Sequence, residues 1–260
     1  MRWTAEHTEN GVGTRDFELD VAGERVPGVL WTPEHVTGTV PLVLMGHGGS
    51  QHKRTDTLVA RAKRYASTLG FAVAAVDAPG HGDRVTPEEA ARFAAAVRQR
   101  IAAGERIGGE AVRMMAERAR QAVPEWRATL DALQELPEIG PDGPVGYWGL
   151  SMGTVIGVPL LAVEPRITAA VLGLAGLHGE HTAFAEAAAA VTVPVEFAFQ
   201  WNDELVDHES GIALFDALGS RQKTMHVNPG GHLAIPSFER DSWERFFTRH
   251  LVGRRATAAA

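Results

Sequence analysis

Residues 145–158 read VGYWGLSMGTVIGV. Val145 to Leu150 is an apolar run of strand length, Met152 to Val163 is an apolar run of helical length, and Gly149-Leu150-Ser151-Met152-Gly153 joins them. A chain that leaves a strand and enters a helix across one residue must strain its backbone there. Glycines two positions either side let neighbouring elements approach where a Cβ would clash. Five letters alone carry little in a chain with 28 glycines among 260 residues. The strand before and the helix after are what make the pattern informative, because together they lift the Ser151 hydroxyl out of the end of a sheet.

Strand-length apolar runs recur on both sides of this stretch, each bounded by Gly, Pro or Asp. Phe17 to Val21 and Val26 to Thr32 flank Ala22-Gly23-Glu24 as a hairpin at a sheet edge. Val40 to Met45 and Phe71 to Val76 are nearly continuous apolar runs, as expected of central strands covered on both faces. After Val145 to Leu150 come Ile167 to Leu174, Val193 to Gln200 and Lys223 to Val227. Helical spacing separates them over Thr57 to Leu69, Met152 to Val163, Thr182 to Ala190, Gly211 to Leu218 and Phe238 to Leu251. The expected fold class is α/β, a mostly parallel central sheet of about eight strands with helices on both faces, since parallel strands need crossovers that place helices there. Arg84 to Leu136 is a helical insert between the fourth and fifth of these strands, interrupted by Gly104, Gly108-Gly109 and Pro124, and long enough for a crossover plus a lid. A single domain over 1–255 and a frayed tail over 256–260 complete the expected organisation.

Ligands of such sheets bind beyond the carboxyl ends of the strands. A serine there is a weak nucleophile until a histidine accepts its proton and a carboxylate orients that histidine. His232 follows the last strand through Asn228-Pro229-Gly230-Gly231, and Asp203 follows Val193 to Gln200 through Trp201-Asn202. Glu204 and Asp207 are competing acids slightly further into the same loop. The oxyanion of a tetrahedral intermediate would be held by two backbone amides, those of Met152 at the helix start and of Gly49 in His47-Gly48-Gly49-Ser50.

Composition narrows the alternatives. A net charge of -7 in a chain without a basic stripe argues against nucleic acid. Cysteine is absent, which removes disulfides, thiolate metal sites and a cysteine nucleophile. Met1 to Val12 is polar, and no run reaches the roughly 20 apolar residues of a membrane span, so a cytoplasmic protein with no membrane partner is expected. His178 and His181 stand at the same rim but show no helical metal-ligand spacing, and neither a metal nor a cofactor is expected. His52-Lys53-Arg54 reads as a solvated charged helix start.

Through His47-Gly48-Gly49, the Asp77 to Asp83 run DAPGHGD, Gly149 to Gly153, Asp203 and His232, the chain resembles the α/β-hydrolase family over nearly its whole length. The Asp77 to Asp83 run is similar to that of the bacterial serine esterases grouped with dienelactone hydrolases, acetyl xylan esterases and acyl-peptide hydrolases. The resemblance implies an α/β-hydrolase fold, structural roles for His47 and His81, and a small-molecule ester as substrate. Dienelactone hydrolase itself uses cysteine, and dehalogenases and epoxide hydrolases use aspartate, so Ser151 points to the ester hydrolases. Thioesters, amides and carbon-carbon bonds can be cleaved by the same apparatus, and a hydrolase fold can also serve as a binding module. The family's usual lid position, between the sixth and seventh strands, has little room here in Leu177 to Val193. The lid is therefore expected in Arg84 to Pro124, with Phe93, Met114 or Met115 lining an acyl pocket.

Overall fold

The computed structural model describes residues 1–105, 109–178 and 182–252. Among these, nine strands form one sheet in the order β1-β2-β3-β5-β4-β6-β7-β8-β9. The strands are β1 (Arg2–Glu9), β2 (Val12–Val21), β3 (Glu24–Pro33), β4 (Leu42–Gly46), β5 (Ala72–Val76), β6 (Val145–Gly149), β7 (Ile167–Gly173), β8 (Val195–Gln200) and β9 (Lys223–Asn228). From β5 to β9 all neighbours are parallel. β1, β2 and β3 form an antiparallel meander that joins β5 through β3.

The expected strand count was about eight, and the additional one is β1. Its residues are all exposed, and it is held by pairing with β2, by the edge of Trp3 against Phe17 and by Arg15 over the Trp3 ring at 4.5 Å. A strand wet on both faces shows no apolar alternation. The hairpin is therefore one strand in from the edge, and the helical insert lies between the fifth and sixth strands.

The described residues form seven α-helices: α1 (Asp56–Arg64), α2 (Pro87–Ala103), which has no buried residue, α3 (Gly109–Gln134), α4 (Met152–Val163), α5 (Thr182–Ala190), α6 (His208–Ala217) and α7 (Glu239–Phe247). α1 and α7 each continue into a wider turn, Tyr65–Leu69 and Thr248–Val252. Trp126, Leu130, Ile156, Leu160 and Leu214 of α3, α4 and α6 pack on one face, while Leu58, Ala62, Trp243 and Phe247 of α1 and α7 pack on the other. β4, β5 and β6 are buried along their whole length between these layers.

Pro124, expected to interrupt the insert, lies inside α3. Its ring is on the exposed side, where water can take the Arg120 carbonyl that loses its helical partner, while Ala122, Glu125 and Trp126 hold the inner face. A bidentate pair from Arg84 to Glu125 (2.7 and 2.8 Å) fastens α3 to the turn after β5. Among the described residues no helix is long and apolar enough to cross a membrane. Residues 256–260, read as a tail, and His181 lie outside the described residues.

Candidate active site

Ser151 caps α4 with φ 56° and ψ -118°, a strained conformation for a residue with a side chain. The strain is held from several sides. The Ser151 amide donates to Gly173 O at 2.9 Å, and Tyr147 Oη donates to Gly153 O at 2.6 Å. Thr154 Oγ1 accepts the Gly173 amide and reaches Gly149 O, both at 2.8 Å. A Cβ on Gly153 would stand 2.5 Å from Gly46 O, and one on Gly149 would stand 2.7 Å from Gly153 O, so both positions require glycine.

The loops after β8 and β9 run together. Trp201 N donates to Asn228 O (2.6 Å), Asn202 N to Gly230 O (3.1 Å), Asn202 Nδ2 to Pro229 O (2.6 Å) and Gln200 Nε2 to Gly231 O (3.0 Å). This pairing brings Asp203 and His232 to the same place. His232 Nδ1 lies 2.7 Å from Asp203 Oδ2, and His232 Nε2 lies 3.0 Å from Ser151 Oγ. The Asp203 and His232 side chains are 2% and 5% exposed, so the hydrogen bond between them is shielded from water. Asp203 Oδ1 accepts the amides of Leu205 (2.8 Å) and Val206 (3.0 Å), which fixes the carboxylate plane.

The competing acids have other partners. Asp207 caps α6 by accepting the Ser210 amide at 2.8 Å. Glu204 accepts the backbone amide of His232 at 2.8 Å, and a Cβ on Gly231 would stand 2.4 Å from Glu204 Oε1. Glu204 thus holds the histidine's backbone in position, a role that no motif announces. His178 lines the cavity described below rather than a described metal cluster.

The loop with Gly49 follows β4 and touches the serine turn, since a Cβ on Gly48 would stand 3.9 Å from Leu150 O. Gln51 Oε1 accepts the Gly48 amide at 3.0 Å. Lys53, expected in a solvated charge run, is instead buried at 4% exposure, with Nζ donating to Asp77 Oδ2 at 2.7 Å and also paired with Asp83. Asp77 accepts the Lys53 amide on Oδ1 and the Asp83 amide on Oδ2, each at 2.9 Å. The DAPGHGD run therefore ties the loop after β5 to the loop carrying Gly49.

His47 completes that tie. Its Nε2 accepts the Ala78 amide at 3.0 Å, so the ring proton sits on Nδ1 and donates to Gly48 O at 2.8 Å. Burial lowers its pKa from 6.5 to about 4, because a charged ring there would lose its water and set a second N–H against the Ala78 amide. The unfolded chain binds this proton more readily than the folded one. Stability from His47 is thus present above pH 6.5 and is lost as pH falls toward 4, by at most about 3 kcal/mol. Urea unfolding at pH 7 and pH 4.5 is expected to show a smaller loss in His47→Gln than in the parent; equal losses would show that His47 does not titrate in this window.

Ser151 opens into a cavity of about 670 Å³ whose walls include Met152, Val155, Met115, Val123, Leu174 and Phe184. Met115 fulfils the expectation of a wall residue. Met114 points outward at 43% exposure, and Phe93 packs edge-on against His81 in a separate hollow that includes Ser50 and His52.

No protein-family model and no curated protein matches the chain. Solved structures do. A cold-adapted esterase from an Arctic intertidal metagenomic library is 35% identical, with a TM-score of 0.77 over 96% of this chain and 100% of that one. The acetyl xylan esterase of Paenibacillus sp. R4 shares the fold at 16% identity, with a TM-score of 0.72 over 96% of this chain and 88% of that one. Acetyl xylan esterase 1 of Thermoanaerobacterium sp. JW/SL YS485 shares it at 17% identity, with a TM-score of 0.69 over 94% and 86%. At 35% identity across the whole Arctic enzyme, this chain belongs to the α/β-hydrolase family, among its esterases.

Proposed function

We propose that the protein hydrolyses carboxylic esters of small molecules through an acyl-enzyme on Ser151. The observation that carries this reading is the relay from Ser151 Oγ to His232 Nε2 (3.0 Å) and from His232 Nδ1 to the buried Asp203 Oδ2 (2.7 Å). His232 accepts the serine proton as Oγ attacks the ester carbonyl, and Asp203 stabilises the imidazolium that forms. The amides of Gly49 and Met152 receive the oxyanion, the second reinforced by the N-terminus of α4. His232 returns the proton to the leaving alcohol, then takes one from the water that attacks the acyl group and passes it to Ser151 Oγ as the acid departs.

The cavity supports an ester with an apolar group of some size, because its aliphatic and aromatic walls bury such a group favourably. Met115, Ala119 and Val123 of α3 form one wall, which supports a covering role for the 84–124 segment. Reaction with a fluorophosphonate probe, followed by peptide mass spectrometry, tests the proposal. Labelling confined to Ser151 and absent from Ser151→Ala is expected. A folded parent protein that takes no label would overturn the acyl-enzyme mechanism.

A further inference from the structure

We propose that Glu196, His226 and Glu239 form a binding site for a divalent transition cation, zinc by the chemistry of the donors, at the foot of the loop that carries His232. Glu196 lies on β8 and His226 on β9, where His226 pairs with Ala198, so the glutamate stands two residues along the same sheet face. Glu239 opens α7, the helix packed on that face. The donor atoms of all three lie within 4.8 Å of one another, the one such group of three among the described residues.

His226 Nδ1 is hydrogen-bonded to Glu239 Oε2 at 2.9 Å and lies 3.7 Å from Glu196 Oε1, so a cation would take the place of the proton between the first pair. Donors around a tetrahedral zinc stand about 3.4 Å apart, from bond lengths of about 2.0–2.1 Å, so these spacings straddle the required value. Glu196 Oε1 is the pointer to a ligand. Glu196 is 6% exposed, and this oxygen, directed at the cluster, has no hydrogen-bond partner. Buried carboxylate oxygens are ordinarily satisfied, and one left without a hydrogen bond beside a second carboxylate and an imidazole nitrogen points to a cation.

The surroundings fit. Asn228 Nδ2 donates to Glu239 Oε1 at 2.9 Å, orienting that carboxylate as the outer partners of metal ligands do. Burial raises the Glu196 pKa, and Arg245 and Ser242 also face it; the two ionised carboxylates and this arginine sum to one negative charge, which a divalent cation with neutral His226 turns to one positive. The His226 side chain is 32% exposed, which leaves an entry path and room for water as a fourth ligand. One nitrogen and two carboxylate oxygens suit zinc better than calcium or magnesium, which favour all-oxygen sets. The cation would join β8, β9 and α7 at both ends of the 228–239 loop, acting on the stability of that loop and not on the hydrolytic step.

Chelator-treated full-length protein, returned to zinc and desalted, is expected to retain one zinc per chain. Its melting midpoint is expected to rise by about 5–10 °C when zinc is a hundredfold above its Kd. His226→Gln and Glu196→Gln are expected to lose both effects, whereas His232→Ala, which removes a different histidine–carboxylate pair, keeps them. Absence of zinc from the parent, or its loss in His232→Ala alone, would overturn the site. If the glutamine variants do not fold, the comparison of parent with His232→Ala decides, read by metal content and by the absorption bands of bound cobalt(II).

Discussion

His232→Ala is expected to lower kcat for a nitrophenyl ester by about 10⁶-fold, with KM little changed. Among the described residues the ring is the one side chain hydrogen-bonded to Ser151 Oγ, at 3.0 Å, so without it the hydroxyl keeps its proton at neutral pH. The loss should be one of chemistry and not of folding. The histidine's backbone amide stays on Glu204, and the four hydrogen bonds between the 200–202 and 228–231 segments involve no imidazole. The cavity and the amides proposed to hold the oxyanion also survive, and they are expected to leave a residual rate about 10³–10⁴ above that in water. Steady-state kinetics beside circular dichroism would check this. A folded variant that retains a hundredth of parental kcat would show that His232 is not the base.

The sheet was legible where its strands are buried on both faces, because continuous apolar runs such as Val40 to Met45 and Phe71 to Val76 leave little else for the chain to do. β1 was not, since an exposed edge strand takes its order from pairing with β2 and carries no alternation of its own. Pro124 misleads for a related reason: burial of Glu125 and Trp126 outweighs one lost helical hydrogen bond on the solvent side. At the candidate site, Ser151, His232 and Asp203, which the structure brings within hydrogen-bond reach of one another, could be proposed because strand ends and chain order constrain them. Closeness to the strand end favours Asp203 over Glu204 and Asp207, but which carboxylate faces the ring is fixed only once the two loops are paired. Lys53 and the Glu196, His226 and Glu239 group were hidden because their partners are far along the chain. Charge in a sequence says nothing of whether Lys53 meets water or Asp77. Each of the three donors belongs to a different element, so no spacing motif exists to find.

Asp203→Asn is expected to lower kcat by about 10⁴-fold, nearly isosteric though it is. The reason lies in how the carboxylate is held. Oδ1 accepts two backbone amides, from Leu205 and Val206, while Oδ2 meets His232 Nδ1. An asparagine must keep its one oxygen on the two amides, because turning the NH₂ group toward them would leave two buried donors facing a third. The NH₂ group then points at His232 Nδ1, which can only accept from it, and the ring proton moves to Nε2. There it faces Ser151 Oγ as a donor, and a ring that already carries a proton at that nitrogen cannot take another from the serine. The variant thus keeps the geometry and loses the tautomer. Nitrogen NMR of the His232 ring should place the proton on Nδ1 in the parent and on Nε2 in Asp203→Asn. Activity within tenfold of the parent, or an unchanged tautomer, would show that Asp203 does not orient the base and that another carboxylate must.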